Sequence, residues 1–315
     1  MKRVCFLMVS LLPLAACEQQ NEFNYRLHFI GHEVELVLHV DDKSTAERAA
    51  AAVMRDLILI ESYSDPKSSK PLARTNVLLQ SQEWFSINPS VYRQIRQAIN
   101  FYDKSGGWFN PAALGAWRKL WGEYDSGAQK RIPEKAEITA LRDANPSMDD
   151  IEVSGIRVRG HNKDLQLDFD LLAAGYAIDT EIEQLAELGI KSARLRIGPV
   201  GRVVGIPDHA VSLPSGTDKV PLEPGEAYCF IDGKQPQPYR YFDPHTGQAL
   251  EPGTDIAVIH TDAQTAAAAC VAILTGGGQG WPMVTRGLDL RYAFWQRGDQ
   301  RLATPAWSSH LAPTP

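Results

Sequence analysis

Two aspartates stand where an extended segment turns into a helix, in LQLDFDLLAAGYAIDTEIEQLAELGI, residues 165–190. Leu165, Leu167 and Phe169 alternate with Gln166, Asp168 and Asp170, the two-residue period of a half-buried strand. From Leu171 the period lengthens: Leu172, Tyr176, Ile178, Ile182, Leu185 and Leu188 recur at helical spacing, and Gly189 closes the run. A helix opening across Asp170–Gly175 presents unpaired N–H groups suited to an anion. Such a join is equally ordinary α/β core, so these residues alone leave both readings open. Asp243-Pro244 followed by Thr246-Gly247 is likewise either plain turn chemistry or a site loop. The eight histidines are scattered, and no Ser/His/Asp or zinc-ligand cluster has usable spacing.

The elements that must position these groups follow from the same periodicities. Residues 24–40 read as a hairpin, with Gly31-His32 at the turn. Ser44-Thr45-Ala46-Glu47 has capping-box spacing, and a helix follows to about Ile60. Residues 61–76 read as a polar loop entering a short helix. A helix from about Ser90 to Lys104 stops at Gly106-Gly107. Trp117 and Trp121, four apart, share a helix face, which suits either a packed core or the wall of a pocket. IEVSGIRVRG is expected to form a hairpin with DLQLDF. Residues 192–205 read as strand and tight turn, and residues 254–278 as a strand, a helix and then glycines. Strand hairpins mixed with helices in no regular βαβ alternation predict an α+β fold, one compact domain of two packed lobes.

The chain has 315 residues and a net charge of −6, with no basic run carrying interleaved aromatics, which argues against nucleic acid. Residues 1–17 form a separate unit. Lys2 and Arg3 lead a short apolar stretch ending in Leu14-Ala15-Ala16-Cys17, a secretory signal. LAAC resembles a bacterial lipobox, which implies lipidation of Cys17 and a membrane anchor made of acyl chains. Cleavage would leave 30 basic against 38 acidic residues in the domain 18–315. A periplasm-facing lipoprotein in the inner or outer membrane is expected. Glu18 leans towards the outer one. Cys229 and Cys270 remain, either paired or packed as thiols.

LDFDLLAAGYAID resembles LDLGGIAKGYAVD, the signature of the FAD:protein FMN transferases, or ApbE family. Asp168, Ala173, Gly175, Tyr176, Ala177 and Asp179 match, while Asp170 and Leu171 replace glycines and Ala174 replaces lysine. Four further segments agree in order: 61–76; GGWFNPAALGAWRKLWGEY, with Asn110 in an aspartate's place; SARLRIGPVGRVVG, matching at Gly198; and YRYFDPHTGQAL, matching at Asp243, Pro244, Thr246 and Gly247, with Arg240 in a histidine's place. The resemblance implies that FAD is bound by Asp168, Ala173, Gly175, Tyr176, Gly198, Asp243, Thr246 and Gly247. It also implies transfer of FMN to a threonine of a partner redox protein, with AMP leaving. The family's magnesium places align with Ala173, Ala266 and Cys270; the last two stand where the family has Asp and Thr. Slow or absent transfer is therefore expected, with Asp262 and Asp170 as the nearest other carboxylates, or a flavin- or partner-binding module without turnover.

Overall fold

In a computed structural model, residues 21–67, 70–124, 131–206, 209–212, 219–235 and 241–311 are described. The lipobox and Cys17, and Arg240, lie outside them. β1 (Asn21–Phe29) and β2 (His32–Val40) form the expected hairpin. Its turn falls on Ile30-Gly31, both at positive φ, so His32 starts the second strand opposite Phe29 and is buried. α1 (Lys43–Ser64) is capped by the Asp42 side chain, which accepts the Thr45 N–H. Asp42 thus displaces the expected Ser44–Glu47 box, and the helix runs four residues past Ile60.

There follow α2 (Pro71–Gln80), β3 (Phe85–Ser86), α3 (Pro89–Ser105), α4 (Pro111–Leu120) and α5 (Lys135–Ala144). Next come the hairpin β4 (Ile151–Ser154) and β5 (Arg157–Gly160), then α6 (Leu171–Glu187), β6 (Ala193–Ile197) and β7 (Val200–Val204). The remainder is β8 (His209–Ser212), β9 (Lys219–Leu222), β10 (Ala227–Ile231), β11 (Thr254–His260), α7 (Ala263–Gly287), β12 (Tyr292–Arg297), β13 (Gln300–Ala303) and α8 (Trp307–Leu311). Eight strands make one sheet in the order β1-β2-β6-β7-β10-β11-β12-β13, each pair antiparallel. Alternation along the strands feeds two cores. Leu36, Leu195, Cys229 and Val258 share one with α6 and α7, while Tyr228, Phe230, Ile259 and Phe294 share the other with Trp307 of α8. The α+β expectation holds, in a single domain.

Two expectations change. Residues 165–169 are extended but pair with no strand; β5 pairs with β4 and β3 instead. All five side chains are buried, and the backbone is held by side chains of α2 and by the Pro111 carbonyl, which accepts the Asp168 N–H at 3.1 Å. Asn76 on α2 donates to the Leu167 carbonyl (3.0 Å) and accepts its N–H (2.8 Å). The glycines after Ile273 do interrupt the helix, but a second helical stretch follows directly beyond them. α7 continues to Gly287, bent at Gly277, whose φ of 48° leaves the helical region. Gly276 and Gly280 are bare because Trp108 lies against them.

Cys229 on β10 and Cys270 on α7 are joined as a disulfide, with Cα atoms 6.2 Å apart. Closing a loop of 41 residues restricts the unfolded chain by about 3–4 kcal/mol. Elsewhere α6 buries Glu181 with neither carboxyl oxygen hydrogen-bonded. Burial, with the Asp56 charge adding to it, pushes this carboxyl up from 4.5 to about 8. A raised folded value means that ionisation opposes folding. Stability from this group is therefore full below about pH 4.5 and falls as pH rises towards about 8. Urea midpoints measured across that window should decline in the wild type and flatten in Glu181→Gln; an equal decline in both would assign the slope to another group.

Candidate functional site

The extended strap 165–169 and the first turn of α6 deliver Asp168 and Asp170 to a buried arginine. Arg118 lies on α4, fully buried, with Nη1 2.9 Å from Asp168 Oδ2 and Nη2 3.2 Å from Asp170 Oδ2. Tyr124 O–H donates to Asp168 at 2.7 Å, and Tyr241 O–H donates to Asp170. The Arg118 guanidinium also lies 5.0 Å from the centre of the Tyr241 ring. His32, brought in by the β1–β2 turn, places Nε2 3.6 Å from Asp170 Oδ1. Two carboxylates against one guanidinium leave a net negative centre.

Burial alone would raise the Asp170 carboxyl. The Arg118 charge, His32 and the Tyr241 hydroxyl outweigh it and hold the group below the usual carboxylate range. Burial and the neighbouring carboxylates push the Tyr241 and Tyr124 hydroxyls well up, so both remain donors. Asp170 itself sits at φ 43°, ψ −120°, a region that L-residues other than glycine rarely enter. Holding it there costs about 1–3 kcal/mol, so the ion pair must outweigh that strain. Asp168 Oδ1 accepts the Asp170 N–H at 3.0 Å and so fixes the turn.

Some of the predicted residues converge on this centre. Asp168 is part of it. Gly198, at φ 56°, makes room for His32: a Cβ there would fall 2.5 Å from His32 Nδ1. Gly247 lies against the Trp117 ring, which a Cβ would enter, and Trp117 Nε1 donates to the Pro244 carbonyl. Trp117 is 1% exposed, so it is core. Asp243 folds its own loop, accepting the His245 and Thr246 N–H groups, and Thr246 is exposed.

Other predicted residues face elsewhere. Tyr176 accepts a hydrogen bond from Arg93 of α3 at 2.9 Å. Gly175 lets α6 meet the start of α7, where a Cβ would fall 2.6 Å from the Ala263 carbonyl oxygen. Asp179 accepts the Ala263 and Gln264 N–H groups and pairs with Arg202 at 2.7 Å. Asp262 caps the same helix through Thr265 N–H and pairs with His260. Ala173 and Ala266 are fully buried on α6 and α7. An open groove of about 360 Å³, lined by Pro71, Arg74, Leu78, Phe85 and Ser86 among others, includes none of the predicted residues.

Residues 30–220 match the model of the ApbE family. The chain belongs to the ApbE family. It is 26% identical over 262 residues to the FAD:protein FMN transferase of Rhodobacter capsulatus, an alignment covering 76% of the chain. The chain spans about half the length of that relative, 49% of which is aligned. Its fold is similar to the flavinyl transferase ApbE of Pseudomonas stutzeri, solved in its apo form (TM-score 0.80, 21% identity, 93% of this chain and 99% of that one). It is also similar to the flavin transferase ApbE of Vibrio cholerae (0.77, 18%, 93% and 100%) and to the ApbE protein of Thermotoga maritima (0.77, 18%, 93% and 100%).

The residues aligned with the family's magnesium places do not fit a hard cation. Ala266 offers a methyl group and Cys270 is engaged with Cys229, while Ala173, which matches the signature, has only a backbone carbonyl to give; magnesium requires oxygen donors. Asp170 and Asp262, the other carboxylates considered, already have cationic or capping partners. Sequence reasoning missed Arg118, Tyr124, Tyr241 and His32. Arg118 follows the apolar run Ala112–Trp117 and stands next to Lys119, with nothing in the sequence to tie it to two acids about fifty residues on. Removing it as Arg118→Met leaves two buried carboxylates unpaired, at an expected cost of about 3–5 kcal/mol. Chemical denaturation should show that loss, whereas a change below about 1 kcal/mol would mean that the centre is well solvated.

Proposed function

We propose that this ApbE-family chain is an FAD:protein FMN transferase-like lipoprotein that binds FAD and passes FMN to a threonine of a partner redox protein, slowly. In that reaction the threonine oxygen forms a bond to the FMN phosphorus, the pyrophosphate linkage breaks, AMP departs and the hydroxyl proton is lost. The family match over residues 30–220 carries the assignment, supported by the named activity of the Rhodobacter relative. Phosphoryl transfer rests on positioning and on charge neutralisation around the phosphates. Ala266 and the paired Cys270 supply no ligand for a neutralising ion, and no step is assigned to one. The same substitutions favour a second reading, a flavin- or partner-binding module without turnover.

Incubating the protein with FAD and magnesium separates the two. AMP release supports transfer, bound flavin without AMP supports the module, and neither would remove both. Ala266→Asp with Cys270→Thr should raise magnesium-dependent AMP release at least tenfold over the parent and add a magnesium-dependent rise in melting temperature. Cys270→Thr alone controls for the lost disulfide. A parent as fast as the double variant would place the charge neutralisation in other residues.

The LAAC sequence at Leu14–Cys17 supports a lipid anchor facing the periplasm. Among the described residues no helix is long and apolar enough to cross a membrane. Cys17→Ser should abolish incorporation of labelled fatty acid and leave the precursor unprocessed; unchanged labelling would reject the anchor.

A further inference from the structure

We propose that the outer face of α1, centred on Ile58, lies against the surface of the bilayer that anchors the chain. Among the described residues eight large apolar side chains stand exposed, and three of them, Met54, Ile58 and Leu59, fall within two turns of this helix. They are 43%, 62% and 60% exposed. The core does not call for them: Val53, Leu57 and Ile60 already bury the opposite face of α1. Ala51, Met54, Arg55, Ile58 and Leu59, spaced by three and four, all open to solvent, so the second half of the helix carries a second apolar face. Exposed apolar side chains scattered singly need no partner, but neighbours on one face mark a contact surface.

The partner follows from where the chain enters the fold. Asn21 opens β1, and its side-chain amide donates to the Asp41 carbonyl at 2.8 Å, one residue before the Asp42 cap of α1. β1 therefore starts beside the N-terminal end of that helix. Cys17 stands four residues ahead of Asn21, a span of at most ~14 Å. With acyl chains on Cys17, that end of α1 is held at the membrane surface. Ile58 lies fifteen residues beyond Lys43, ~22 Å along the helix. A helix lying along the bilayer then brings its apolar half to the boundary of headgroups and chains. Arg55 stands among these side chains, itself 71% exposed, and can reach lipid phosphates from a stem laid on apolar surface. A tether this short keeps the bilayer always within reach of the face, which holds for no soluble partner.

The inference rests on the lipid-anchor reading for this tether, and its test keeps the two apart. The protein matured from the full chain is reconstituted into phosphatidylethanolamine–phosphatidylglycerol vesicles. It carries an environment-sensitive dye on Ile58→Cys or, as control, on Asp299→Cys. Asp299 is exposed in the turn before β13, at the opposite edge of the sheet from β1. The Cys229–Cys270 disulfide keeps the native pair out of the labelling. Brominated acyl chains should quench the dye at position 58 at least threefold more than at 299, with a blue-shifted emission at 58 alone. Ile58→Glu, read with the dye on Met54→Cys, should cut the quenching at 54 by half or more and leave the melting temperature unchanged. Equal quenching at 58 and 299, or none at 58, would overturn the proposal. A blue shift at 58 that grows with protein density and ignores bromine would assign the face to a second copy of the chain and overturn the lipid assignment. Acyl labelling of Cys17 is read on the same preparation. Acylation without quenching would reject the face and leave the anchor standing; quenching without acylation would reject the anchor and leave the face.

Discussion

The contact of Arg118 with Asp168 and Asp170 is the constraint on which the rest of the site depends. A guanidinium with no exposure is stable only when its charge is matched nearby, and matching it fixes α4, the strap and the start of α6 relative to one another. The Tyr124 and Tyr241 hydroxyls then serve as donors to the same carboxylates, which draws both side chains to the centre. His32 completes the ring from the sheet, through a turn that puts Ile30 at a φ of 45°. Strain at Ile30 and at Asp170 is concentrated around a single ion pair.

Helix α7 shows a second organising rule. Its first turn is claimed by two aspartates: Asp262 caps it locally, and Asp179 reaches across from α6 to accept two more N–H groups. Gly175 permits that approach by bringing α6 within contact of the Ala263 backbone. Matches to the family signature at Gly175 and Asp179 are thus accounted for by helix packing. A motif residue can serve the scaffold, as Gly175 and Asp179 do here.

Much of this was legible in the sequence. The helices at 89–105 and 171–187 are marked by a glycine stop, the one at 43–64 by its start and apolar spacing but not by its end, and the β1–β2 hairpin by alternation. The strap is no strand because period-2 alternation is silent on what pairs with the backbone; here the side-chain amides of Asn76 and Gln80 and the Pro111 carbonyl do so. The GGG run does break the helix, at the non-helical Gly277; what the sequence left unseen is the second helical stretch that follows to Gly287. Arg118 escaped notice for a different reason. Its role depends on two acids about fifty residues away, and a long-range ion pair leaves no periodicity.

Asn76 has a consequence for how freely this site can change. A strap held by a β-ladder must keep a register with its neighbours, and any residue that twists the backbone disturbs several rungs at once. Here the strap is held by separate contacts: Asn76 pins both backbone groups of Leu167, Gln80 donates to the Leu165 carbonyl, and the Pro111 carbonyl accepts the Asp168 N–H. Residues beside those contacts can be exchanged without unzipping a sheet. Such tethering by separate contacts, with no ladder to keep in register, makes the segment editable: side chains as unlike as Asp170 and Leu171 can stand after it while the eight-stranded platform keeps its pairing.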